Sequence, residues 1–263
     1  MSFDGQVAVV TGAGSGIGKA IATMMAARGA AVAVVDLDAG NAAKVAESIV
    51  AAGGKAKSYG ADVSKASDID AAVSAAVNEL GALDIMVNNA GILDGYFDVD
   101  EMSETLWRKV IDIDLTGVFL GCKRALAEML PRGRGRIVNM ASAAGLNGTG
   151  GGAAYIAAKH GVVGLTRQMA VVYGARGITT NCVCPGPIPT DLRAHSQPML
   201  GNDVPDISQR GMAVNDDQVR ALVPMARRGV PDDIASAVCY LASAEANYVN
   251  GHALVVDGGW RAK

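Results

Sequence analysis

The chain has 263 residues, half of them hydrophobic, enough for one large core or two small ones and too rich for a disordered chain. With 23 basic against 26 acidic residues its formal net charge is −3, so no global field favours nucleic acid or an anionic lipid surface. No run of about 18 apolar residues occurs, so no membrane-spanning helix is expected.

Short apolar runs alternate with longer helical stretches along the chain. Val7–Val10, Ala31–Val35, Leu83–Val87, Ile137–Met140, Ile178–Val183 and Leu254–Val256 read as strands buried on both faces. Lys55–Gly60 is a weaker strand candidate. Between them lie helical segments at about 16–28, 39–52, 65–80, 103–130, 153–175 and 231–243. Ser64 and Ser103 stand where helix caps belong, and Gly29, Gly53-Gly54 and Gly177 where helices end. This alternation predicts an α/β fold: one doubly wound, Rossmann-type parallel sheet of about seven strands with helices on both faces. The polar, poorly periodic stretch from about 191 to 223 interrupts it. That stretch is expected to be a substrate-covering insertion within a single domain spanning residues 1–263.

The five-residue basic run from Arg132 to Arg136 leads straight into a strand and reads as a solvated loop. Met1-Ser2-Phe3-Asp4-Gly5 has no charged-then-apolar leader pattern. Cys122, Cys182, Cys184 and Cys239 fit free buried thiols better than a metal site, and a cytoplasmic location is the expectation.

The first strand runs into Thr11-Gly12-Ala13-Gly14-Ser15-Gly16-Ile17-Gly18, where Gly12, Gly16 and Gly18 fit G-x-x-x-G-x-G. Such a turn lets the backbone approach a pyrophosphate at a helix N-terminus. Asp36 ends the second strand with Leu37 beside it. A carboxylate there can accept from both adenosine ribose hydroxyls and would repel a 2′-phosphate, so the expected cofactor is NAD. The bland alternative is that Asp36 caps the next helix.

Tyr155 and Lys159 are four apart on one helix face, and Ser142 follows the strand Ile137–Met140. Removing a hydride from an alcohol requires removing its hydroxyl proton. A phenol is normally too weak a base for this near neutral pH, but a neighbouring ammonium favours the phenolate. Ser142 can hold the substrate oxygen.

Together with Asp62-Val63, Asn88-Asn89-Ala90-Gly91, Pro185-Gly186-Pro187-Ile188-Pro189-Thr190 and Asp257-Gly258-Gly259, these motifs resemble the short-chain dehydrogenase/reductase family over essentially the whole chain. The resemblance implies that Asp62 and Val63 contact adenine and that Asn89, with Ala90 and Gly91, lines the cofactor pocket. It implies that Ile188 and Thr190, beyond Pro185 and Gly186, meet the nicotinamide carboxamide and the nearby phosphate. Lys159 would also hold the nicotinamide ribose. Family members usually carry asparagine where this chain has Asp114, a residue that helps hold a water linking the catalytic lysine to solvent.

The expected activity is hydride transfer between a secondary alcohol, or its ketone, and nicotinamide. Leu93, Tyr96, Ala144, Leu146, Met199 and Leu200 are the candidate pocket residues, and they favour a small cyclic or hydrophobic substrate. Alternatives are a 3-oxoacyl-carrier-protein or glucose 1-dehydrogenase type of the same family, a same-fold epimerase or dehydratase, and a non-catalytic nucleotide-binding regulator. Small or apolar residues on several faces of the helices around 103–130 and 153–175, including Ala157, Gly161 and Gly164, predict a homotetramer, with the segment ending in Trp260 supplying a second interface.

Overall fold

The computed structural model describes residues 1–200 and 215–262. Its seven strands are β1 (Val7–Thr11), β2 (Ala31–Asp36), β3 (Lys55–Gly60), β4 (Leu83–Asn88), β5 (Gly135–Met140), β6 (Ile178–Pro185) and β7 (Ala253–Val256). All are parallel, in the order β3-β2-β1-β4-β5-β6-β7. The continuous apolar runs become β1, β2, β4, β5 and β6 because helices cover both faces of the sheet. The lysine-bearing β3 pairs only with β2 and stands at the sheet edge, where Lys55 and Lys57 are exposed.

The helices are α1 (Gly16–Ala27), α2 (Ala39–Ala51), α3 (Ala66–Leu80), α4 (Glu104–Ile111), α5 (Gly117–Met129), α6 (Ala153–Tyr173), α7 (Leu192–Leu200), α8 (Asp216–Leu222) and α9 (Pro231–Ala242). Two apolar clusters fill the two faces. One joins α1, α2 and α9 to the sheet around Ile21, Met25 and Ile234; the other joins α3, α5 and α6 around Met86, Met129 and Val162.

Several expectations about local structure change. The single helix expected at 103–130 is two helices joined by a π-helical turn, Asp112–Thr116. Ser103 does cap α4, accepting from the Leu106 N–H. Ser64 does not cap α3: the helix begins at Ala66 with Lys65 at the N-cap position, and the Ser64 hydroxyl donates to Asp62 Oδ1 at 2.6 Å. Asp38, not Asp36, caps α2. The stretch at 191–223 begins with α7 and ends with α8, and the part at 201–214 lies outside the described residues.

The strand order reverses between β1 and β4, each of which has neighbours running the other way in sequence. At such a switch point the loops leaving the two carboxyl ends diverge and leave a crevice.

Candidate active site

That crevice is a cavity of about 550 Å³, and every catalytic and cofactor-binding residue expected from sequence lines it. The glycine turn forms its floor. A side chain at Gly18 would place its Cβ 2.0 Å from the Gly12 carbonyl oxygen, so only glycine lets α1 begin this close to the end of β1. Asn89, just past β4, ties the turn down: its Nδ2 donates to the carbonyls of Thr11 at 2.9 Å and Gly12 at 3.1 Å. Asp36 fixes the other side, with Oδ2 accepting from Gly14 N at 2.8 Å and Oδ1 from Asp38 N at 2.9 Å. Each carboxylate oxygen can still accept a further hydrogen bond, and Asp36 lines the cavity.

At the far end stand Ser142, Tyr155 and Lys159. Ser142 follows β5 in extended backbone and its hydroxyl oxygen accepts from Ala144 N at 3.1 Å. Tyr155 and Lys159 share the buried face of α6, with the ammonium 5.3 Å from the ring centroid. Lys159 Nζ also donates to the Met140 carbonyl at 3.4 Å.

Asp114 is wholly buried in the π turn, its Oδ2 3.0 Å from Lys159 Nζ. That contact is a charge pairing without an aligned hydrogen bond to Oδ2, whereas Oδ1 accepts from Ile92 N at 2.8 Å. Gly91 leaves room for the pair, since a Cβ there would sit 3.1 Å from Asp114 Oδ2 and 3.2 Å from Lys159 Nζ.

The charges are coupled. Burial pushes the Asp114 carboxyl above the ordinary carboxylate range against the pull of Lys159. Burial disfavours the Lys159 ammonium, but Asp114 and Tyr155 together raise it above the ordinary lysine value. Burial raises the Tyr155 phenol; Lys159 and the Ser142 hydroxyl pull it down, Asp114 pushes it up, and the net is upward. The ammonium's help to the phenolate is therefore real but outweighed by burial, to which the Asp114 carboxylate adds.

Sequence reasoning missed Asp94. Fully buried after β4, its carboxylate accepts from Tyr96 N and Gly152 N, both at 3.0 Å, and from Tyr155 N at 2.9 Å. Gly152 is the N-cap residue of α6 and has no side chain to offer, so Asp94 caps the helix from another loop.

A second chamber of about 200 Å³ opens beside Ser142 and Tyr155. Of the candidate substrate-pocket residues, Leu93, Tyr96 and Ala144 line it. Met199 lines the larger cavity instead, while Leu146 packs beneath α6 and Leu200 against Ile92 and Leu106. Trp260 and Leu222 complete the wall, together with Arg193 and Arg228, so the chamber carries more charge than expected. Tyr96 has a left-handed backbone, φ 60, and its ring stacks under the Arg193 guanidinium at 5.5 Å.

The geometry of a nucleotide crevice ending in a Ser-Tyr-Lys cluster defines a nicotinamide-dependent oxidoreductase, and comparison with known proteins agrees. Residues 12–261 match the family model described as enoyl-(acyl carrier protein) reductase. The chain belongs to the short-chain dehydrogenase/reductase family and acts on CH–OH groups or the corresponding ketones. It is 44% identical to 2-(S)-hydroxypropyl-CoM dehydrogenase 3 of Xanthobacter autotrophicus, over 98% of this chain and 97% of that one. It is 40% identical to cyclohexanol dehydrogenase of an Acinetobacter species, over 99% and 97%. Among solved structures, levodione reductase superposes with a TM-score of 0.89 at 35% identity, covering 99% of both chains. Among the described residues no helix is long and apolar enough to cross a membrane.

Proposed function

We propose that the chain is an NAD-dependent dehydrogenase of a small cyclic or hydrophobic secondary alcohol, working through Ser142, Tyr155 and Lys159. The observation that carries this reading is the meeting of those three side chains at one end of a cavity whose other end is Asp36. When bound, the nicotinamide supplies the hydride acceptor or donor. Tyr155 takes the proton from the substrate hydroxyl in oxidation and returns it in reduction. Ser142 Oγ holds the substrate oxygen and offsets its developing charge. Lys159 holds the ribose and favours the phenolate, and Asp114 sets how strongly it does so.

NAD is preferred because Asp36 occupies the ribose end and the cavity's lining there includes no lysine or arginine among the described residues. Gly12, Ser15, Gly16, Ile17 and Gly18 cradle the pyrophosphate. Leu37, Asp62 and Val63 surround the adenine, and Asn89, Ala90, Gly91, Pro185, Gly186, Ile188 and Thr190 border the nicotinamide half. A small substrate fits the size of the second chamber and its apolar wall of Leu93, Ala144, Leu222 and Trp260. The whole chain acts as one cofactor-binding domain, with α7 and α8 covering the substrate. The four free, buried cysteines suit a reducing cytoplasm.

The protein acts as a homotetramer. Trp107 and Phe119 are exposed on α4 and α5, and Val171 and Val172 on α6. Of the small α6 residues, Gly161 is taken up by Leu115 of the same chain while Gly164 faces open space. Trp260 is turned onto α8. A stable monomer by light scattering at micromolar concentration would remove the tetramer. The activity is tested by following the reduced-nicotinamide absorbance with NAD and a panel of cyclic alcohols. No turnover across the panel would refute this substrate class.

A further inference from the structure

The charge lining the large cavity is one-sided. Asp36, Asp38, Asp62, Asp114 and Asp191 line it, whereas Lys159 is the one lysine or arginine among the described lining residues. Lys159 is already paired with Asp114. A nicotinamide dinucleotide nevertheless places a doubly charged diphosphate in the middle of the cleft, over the start of α1. The helix offers main-chain N–H groups and a partial dipole charge there, while its one lysine, Lys19, is exposed and does not line the cavity.

Across the cleft stands α7. Its His195 lines the cavity, with Nδ1 3.4 Å from Ser15 Oγ. Ser15 is the N-cap residue of α1, yet its side chain makes no capping hydrogen bond, so its hydroxyl is committed to no helix N–H. The position of His195 does not depend on that one contact. Two residues before it, Arg193 Nη2 donates to the Tyr96 hydroxyl at 3.1 Å. One residue after it, the buried Ser196 Oγ accepts from Leu93 N at 2.9 Å and donates to the Leu192 carbonyl at 2.6 Å. Three residues of one helix thus hold it against loops on both sides of the crevice.

We propose that His195 is a cofactor-binding residue, its imidazole donating an N–H to the diphosphate from the side opposite α1. The proposal rests on the reading of this crevice as the nucleotide site. An N–H on a phosphate oxygen is a charge-assisted hydrogen bond, and imidazole has a donor in either protonation state. The contact also links α7 to the cofactor: a ligand with a diphosphate holds the helix down, and one without it does not.

The test titrates the full-length protein with NADH, with ADP-ribose, which has the diphosphate but no nicotinamide, and with adenosine, which has neither. Wild type, His195→Ala and His195→Gln are compared by calorimetry, with thermal unfolding recorded for each. His195→Ala should weaken NADH and ADP-ribose about tenfold, the scale of one charge-assisted hydrogen bond, and leave adenosine within about twofold. His195→Gln keeps an N–H donor and should recover much of the loss. An alanine variant that binds ADP-ribose within about twofold of wild type overturns the assignment, as does an equal loss of adenosine affinity. Either result with NADH still bound by the wild type leaves the cofactor reading standing. A wild type that binds neither NADH nor ADP-ribose overturns both.

Discussion

The carboxylate of Asp94 accepts a 2.9 Å hydrogen bond from the main-chain N–H of Tyr155. The proposed proton-transfer residue is thereby held through its backbone by a buried acid on a different loop. Asp94→Ala leaves the Gly152, Tyr155 and Tyr96 N–H groups without that acceptor and should cost about 2–3 kcal/mol of stability, measured by urea unfolding. Because α6 then starts less firmly, kcat should fall while NADH affinity stays nearly unchanged. Asp94→Asn keeps one acceptor oxygen and should restore part of both losses. Wild-type kcat in the alanine variant would mean that Asp94 does not position Tyr155.

Tyr155→Phe removes the hydroxyl and keeps the ring that packs against Ile92 and Ala144. Turnover should drop by about 10²–10⁴, with NADH still binding in a fluorescence titration. A loss of less than about tenfold would assign the proton transfer to another group.

The burial of Tyr155, reinforced by the Asp114 carboxylate, predicts an alkaline profile. Alcohol oxidation needs the phenolate, and the Tyr155 phenol lies above its ordinary value, so activity should climb as pH rises into the alkaline range. Asp114→Asn removes a negative charge that disfavours phenolate and frees the ammonium to act on Tyr155. The acidic limb of the oxidation profile, taken at saturating NAD, should therefore move to lower pH. An unmoved limb with unchanged kcat would leave the carboxylate only the structural role of receiving the Ile92 N–H.

Asp36 should make kcat/KM with NAD exceed that with NADP by orders of magnitude. Asp36→Ala should narrow the gap, but it should also loosen the glycine turn, because Gly14 N loses its acceptor. NADPH binding is therefore the cleaner readout: it should improve even where NADH binding weakens. Equal use of both cofactors by the wild type would exclude this role.

The strands were readable because burial on both faces leaves unbroken apolar runs such as Val7–Val10, and the glycine turn because its spacing is a local property. What stayed hidden depends on partners distant in sequence or on the residue at which a helix begins. Asp94 stands 58 and 61 residues from Gly152 and Tyr155, and nothing in Leu93-Asp94-Gly95 announces a helix cap for α6. Ser64 looked like a cap, but α3 begins one residue later than its position requires, with Lys65 at the N-cap position. The helix α7 was masked by Pro198 near its end and by a polar composition; it is held by contacts of Arg193, His195 and Ser196 with three separate loop residues. The apolar pattern across 103–130 continues through the π turn, so composition alone could not mark the break.

That turn makes local chain length a determinant of the site. A π turn carries about one residue more than an α turn, so deleting any one residue from Asp112–Thr116 would let a regular helix form through the segment. The extra residue is absorbed within the turn, so the two flanking helices would keep the faces they present to the rest of the fold. Val118, Cys122 and Ala125 of α5 and Leu106 and Val110 of α4 would stay in their clusters, and the change would fall on the turn itself, where Asp114 stands. A substitution at Asp114 changes the charge that Lys159 meets, whereas a deletion beside it changes which residue Lys159 meets at all.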